Sequence, residues 1–89
     1  IAWSAYASGS SCYGRFYVGA TQALMTSAAF PSVEAAVTPM NNAAAGSYGG
    51  IASIDISGLS GYKYIHAGCY TPATVNRHID LSAQQIWVE

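Results

Sequence analysis

Two runs of side chains carry most of the chemistry in this sequence. Tyr13, Arg15 and Tyr17 recur at every second position, and Tyr62, Tyr64 and His66 repeat the same spacing. A period of two puts the members of each run on one face of a β-strand. A tyrosine ring offers a flat apolar surface and a hydroxyl, which suits stacking on sugar rings and bonding to their hydroxyls. Tyrosine and arginine also concentrate binding energy at protein interfaces. The same side chains, paired across strands, can simply stabilise a sheet, at about 0.2–1 kcal/mol each. Sheet stabilisation, subunit contact and a ligand or glycan platform are therefore the three roles open to these six residues.

Residues suited to catalysis are sparse. The acids are Glu34, Asp55, Asp80 and Glu89, and the histidines are His66 and His78. Cys69 and His66 make a tempting nucleophile and base, but residues three apart on a strand point to opposite faces. No nucleophile-elbow pattern is present, and four acids leave little room for a carboxylate pair across a cleft. His78 and Asp80 share a strand face, and His66 could join them from a neighbouring strand, but a lone His/Asp pair of this kind is more often simply solvated. No acidic loop has the oxygen density that calcium needs. The expectation is a non-enzymatic chain with no catalytic residue, no metal site and no cofactor.

Cys12 and Cys69 are the two cysteines. Both fall on the apolar face of their expected strands, so a disulfide is geometrically allowed if those strands are neighbours. In an oxidising compartment it would close a long loop. The alternative is two buried thiols acting as small hydrophobes. The CxxC spacing of zinc sites is absent.

The elements that must position these residues alternate with a period of two. Ile1, Trp3, Ala5 and Ala7 share one face of a first strand, and Gly9-Ser10-Ser11 turns the chain. Cys12, Gly14, Phe16 and Val18 face the core in a second strand, with Tyr13, Arg15 and Tyr17 facing out. Thr21 to Phe30 permits a helical turn, but its β-rich flanks favour a strand or an irregular crossing. Pro31 and Pro39 bracket a short strand suited to an edge, and residues 41–50 read as a loop. Ile51 to Tyr70 reads as two strands joined at Gly58-Leu59-Ser60-Gly61. In the first, Ala52, Ile54 and Ile56 oppose Ser53, Asp55 and Ser57. In the second, Ile65, Ala67 and Cys69 oppose Tyr62, Tyr64, His66 and Tyr70. Thr71-Pro72-Ala73 turns the chain again. Strands over Thr74–Leu81 and Gln84–Glu89 flank a break at Ser82-Ala83, with Ile86 and Val88 inward. Short strands punctuated by Gly and Pro point to one domain over residues 1–89, an all-β antiparallel jelly-roll-like β-sandwich.

Composition narrows the partners. Only 8% of the 89 residues are charged and 52% are hydrophobic, against roughly 25% charged in a typical soluble domain. So small a domain ordinarily carries a more charged surface, and the shortage points to a surface covered by other copies or domains. Three basic residues and a net charge of −1 leave no footprint for nucleic acid. No apolar run is long enough to insert across a membrane. Ile1 reads as the start of a mature or excised chain.

From Ile54-Asp55-Ile56-Ser57-Gly58-Leu59-Ser60-Gly61-Tyr62 through the aromatic strand to the closing Gln85-Ile86-Trp87-Val88-Glu89, the chain resembles C-terminal β-sandwich modules of phage tail fibres and tail proteins. Similar modules occur in bacterial surface proteins. Such modules often end in "IWLE", and this chain ends in "IWVE". The likeness covers about the last 40 residues and transfers no binding residue, because these modules share a scaffold rather than a fixed site. It implies a virion (tail) or cell-surface location, a homo-oligomer with a trimer favoured, and a cell-surface glycan or protein as receptor. The alternatives are a self-assembling extracellular fibre subunit, in which Ile1–Ala7 would be donated to a neighbour, and, with least support, a small hydrolase.

Overall fold

The computed structural model describes residues 1–20, 33–72 and 76–89. Among them six strands form and no helix: β1 (Ala2–Ala7), β2 (Cys12–Gly19), β3 (Val33–Ala43), β4 (Gly46–Ile51), β5 (Tyr64–Tyr70) and β6 (Ile79–Gln85). The strands build two three-stranded sheets, in the orders β4-β1-β6 and β3-β2-β5, and every neighbouring pair is antiparallel. β1 and β2, the strands with the clearest alternation, are the two central strands. After β1 the chain changes sheet through Ser8–Ser11, where Ser11 takes a positive φ of 59°.

The core follows from which faces of β1 and β2 are apolar. Ile1, Trp3, Ala5 and Ala7 from the first sheet meet Cys12, Phe16, Met40 and Ala43 from the second, and all are buried. Phe16, Met40 and Cys12 are the largest side chains completely withdrawn from water. Gly14 lets the layers interlock. A Cβ there would lie 3.2 Å from Met40 Cε and 3.3 Å from Leu81 Cδ2, a side chain of the opposite sheet.

β3 is an edge strand, as the bracketing prolines suggested, but it runs on through Pro39 instead of ending before it, and its pairing with β2 is irregular at three places, the third at Glu34. Between Gly14↔Met40 and Phe16↔Val37 the two residues Thr38 and Pro39 face the single residue Arg15. Proline has no N–H to give to a ladder, so a bulge on an edge strand is where it fits. Between Cys12↔Ala43 and Gly14↔Met40, Asn41 and Asn42 face Tyr13, with Asn42 at a φ of 51°. Asparagine tolerates this left-handed conformation better than most residues.

Several expected boundaries move. Residues 41–50, expected as a loop, supply the end of β3 and most of β4. A central strand such as β1 must satisfy backbone donors and acceptors on both sides, and that demand overrides the weak strand preference of Gly and Ser. Ile51 ends β4, and beyond it the alternation over residues 52–55 proves to be burial without a ladder, while Ile56, expected inward, is exposed. Ala52 is buried and Ile54 packs on the core, while Ser53, Asp55 and Ser57 face solvent. Pairing ends where Ile1 and Ala52 exchange backbone bonds of 2.8 and 2.9 Å. The corner that follows does turn, closed by a 3.0 Å bond from Leu59 N to Ile56 O. Ser82 and Ala83 are not a break but the middle of β6, opposite Ser4 and Trp3. The expected last strand stops at Gln85, and Ile86 and Val88 are exposed rather than inward. Asn76–His78 precede β6 without strand structure. Thr21–Phe30, Ala73 and the start of the strand expected over Thr74–Leu81 lie outside the described residues.

Phe16→Ala is expected to lower the unfolding free energy by about 3–5 kcal/mol, measured by urea titration. A loss below about 1 kcal/mol would show that the two layers collapse into the space the ring leaves.

Candidate functional site

The outer face of the second sheet gathers most of the aromatic and basic residues picked out by their spacing. Residues directly opposite in a ladder share a face, and the β2–β5 register sets Tyr13 against Tyr70, Arg15 against Gly68, Tyr17 against His66 and Gly19 against Tyr64. The Tyr13 and Tyr70 rings stack with centroids 4.7 Å apart and planes inclined by 6°. The Arg15 guanidinium carbon lies 5.7 Å from the Tyr70 ring centroid and 5.9 Å from that of Tyr17, within cation–π range. Arg15 Nε donates to Thr38 Oγ1 at 2.7 Å, across the bulge that Pro39 requires. The sheet leaves room at Gly68, where a Cβ would lie 3.2 Å from Tyr17 Cε2.

Among the described residues, the ion pairs are Lys63–Glu34 at 2.9 Å and His78–Asp80 at 2.8 Å. Arg15 is in neither. Its guanidinium is held by rings and a hydroxyl, with no carboxylate to neutralise it. Such a group can take up a carboxylate or phosphate through charge-assisted hydrogen bonds. An exposed ring face suits stacking on the apolar face of a sugar.

The six residues do not form one continuous row. Tyr17 lies on the outer face but is only 6% exposed, so its ring supports Arg15 rather than offering a surface. Tyr62 lies before β5, is 98% exposed and borders a different feature, described below. Tyr64 and Tyr70 are the open rings on β5, and His66 sits between them in the alternation. Tyr70 and Thr38 complete the arrangement. Tyr70 continues the same alternation and so was available to pattern reading. Thr38 was not, because its place depends on the bulge.

The cysteines and the second histidine lie elsewhere. Cys69 stands opposite Gly14 and so faces the same side as Cys12, two ladder positions along. Both thiols are free, and they are not the two buried thiols expected: Cys12 is buried but Cys69 is exposed. Cys12 is buried and points its sulfur at the carbonyls of Gly9 and Ser10, at 3.3 and 3.7 Å. His66 and Cys69 project from opposite faces of β5. His78 Nε2 and Asp80 Oδ2 meet at 2.8 Å on an exposed face of the first sheet, beside Tyr6. His66 belongs to the other sheet. No group of three metal-ligating side chains occurs among the described residues, and no helix there is long and apolar enough to cross a membrane.

The described residues also enclose an open cleft of about 600 Å³. Its floor includes Ile1, Val18, Ala52 and Ile54, and its rim includes Tyr62 and residues 86–89. None of His66, His78, Asp80 and Cys69 lines it. Asp55, on its border, accepts from Ser57 N at 3.0 Å, and the Ser57 backbone and side chain hold its carboxyl below the ordinary range.

Partial burial pushes the Cys69 thiol above its ordinary pKa, and Asp80 and then Cys12 add to the shift. The thiolate is the reactive form, so the pH midpoint of Cys69 alkylation is expected above that of a free thiol. It should fall in Asp80→Asn. A midpoint at or below the free-thiol value would contradict this environment.

Comparison with protein-family models, with curated proteins and with solved structures finds no match to this chain, so any function must be argued from its own geometry.

Proposed function

We propose that this chain is a non-enzymatic attachment module of the phage tail-fibre type. In this reading its two sheets form a jelly-roll-like sandwich, the module works as a homo-oligomer, with a trimer as the first expectation, and it operates on a virion tail or cell surface. The outer face of the second sheet holds a host-surface glycan that bears a carboxylate or phosphate. The observation that carries the reading is Arg15, set between the rings of Tyr17 and Tyr70 with no acidic partner among the described residues. Arg15 would bind the anionic group, Tyr70 and Tyr64 the sugar faces, and Thr38 would fix the guanidinium.

The position of β1 weighs against the strand-donating fibre subunit. A donated strand leaves an empty place in its own fold. Here Ala2–Ala7 is the central strand of its own sheet, paired on one side with β4 and on the other with β6.

The test is binding to arrays of host-surface glycans, followed by titration calorimetry on the best ligand. Arg15→Ala is expected to weaken binding of an acidic glycan about tenfold or more, as befits one charge-assisted hydrogen bond. Tyr70→Ala should weaken neutral and acidic glycans alike. A wild-type chain that binds no host glycan would overturn the reading. So would binding that Arg15→Ala and Tyr70→Ala leave unchanged.

A further inference from the structure

The C-terminal residues 86–89 run beside an open apolar cleft, and the reason lies in the β1–β6 ladder. Trp3 pairs with Ala83, but Ala2 pairs with Gln85, so one extra residue enters β6 there. A bulge bends its strand and can end pairing. Past Gln85 the chain leaves the ladder, and Ile86, Trp87 and Val88 come to rest on the cleft's rim. The segment keeps the alternating, β-branched and aromatic character of a strand without the partners of one.

Eleven large hydrophobic side chains are exposed among the described residues, and seven of them line this one cleft. Val88 is 77% exposed, Ile51 72% and Ile65 41%. At the roughly 200 Å² a large side chain can expose, the seven leave on the order of 800 Å² open. Only if covered in full would that surface reach the roughly 800 Å² each partner brings to a standard protein–protein interface. A solitary chain seldom leaves so much contiguous apolar surface in water. Three charged side chains line the cleft, Asp55, Lys63 and Glu89, and Lys63 is paired with Glu34.

We propose that this cleft, with Ile86–Val88 on its rim, is the surface on which a second copy of this chain packs. The proposal rests on the oligomeric part of the reading above and not on its glycan part. A second copy is the favoured occupant because it brings a patch of the same size and apolar character, as a self-complementary contact requires. The off-ladder segment could also offer its backbone to the neighbouring copy, as exposed strand edges do.

The test is the solution mass of the full chain, by light scattering over micromolar concentrations, for wild type, Val88→Lys, Ile51→Lys and Tyr6→Lys. Tyr6 is exposed, lies outside the cleft and serves as the control. The wild type and Tyr6→Lys are expected to be discrete small oligomers. Val88→Lys and Ile51→Lys should be monomers with unchanged far-ultraviolet circular dichroism, their self-association weakened about a hundredfold or more because a charge would be buried. Those monomers should keep single-site glycan binding, which separates the failure of one reading from that of the other. A monomeric wild type would overturn the proposal. So would an oligomer that neither cleft lysine disturbs, or one that Tyr6→Lys dissociates as readily.

Discussion

The fold depends on β1 being hydrogen-bonded on both sides while its inner face seals the core. Ala2–Ala7 holds β4 along one edge and β6 along the other. The residues it turns inward, Trp3, Ala5 and Ala7, close over Phe16, Met40 and Cys12. Every ladder to β1 joins segments distant in sequence, including Ala7 with Ile79 and Ala2 with Gln85. The first sheet therefore cannot assemble until most of the chain is in place, and such non-local pairing is slow to form. The corner after β1 reinforces the closure. Ser8 N donates to His78 O at 2.9 Å and His78 N donates to Ser8 Oγ at 2.8 Å, carrying the β1–β6 pairing past the end of the strand.

The second sheet puts its chemistry on the face away from that core. The proline bulge on β3 brings Thr38 to Arg15, the glycine on β5 makes room for Tyr17, and the register stacks Tyr13 on Tyr70. Each is a backbone feature that sets a side chain. The result is a cation braced by rings, with no carboxylate paired to it among the described residues. The side chains that could support catalysis are dispersed: His66 and Cys69 lie on opposite faces of one strand, and His78 and Asp80 lie on the other sheet.

The two surfaces are complementary in kind. The outer face of the second sheet is aromatic and carries the Arg15 guanidinium, which has no ion-pair partner among the described residues. The cleft is mainly apolar, with Tyr62 and Trp87 among its aliphatic side chains, and Asp55, Lys63 and Glu89 also line it. A module that joins copies through one and meets a surface through the other would account for a chain so short of charge.

Alternation determined the strands of residues 1–19, their inward residues and the all-β class, because each of these depends on side-chain polarity at a period of two, and proline's missing N–H marked β3 as an edge. Alternation also placed Tyr13, Arg15, Tyr64 and His66 on outward faces. The tertiary structure decided what depends on partners. Alternation over residues 52–55 became burial without pairing, and the glycine-rich stretch at 46–50 became a strand beside β1. The pattern of Gln84–Glu89 was that of a strand, yet a bulge took its last four residues off the ladder and left Ile86 and Val88 exposed. Tyr62 and Tyr64 share a period but not a site, since β5 begins only at Tyr64. A sequence records which way a side chain would face in a strand. Whether a strand forms there is settled by the hydrogen-bonding groups of a distant segment, and no local pattern contains them.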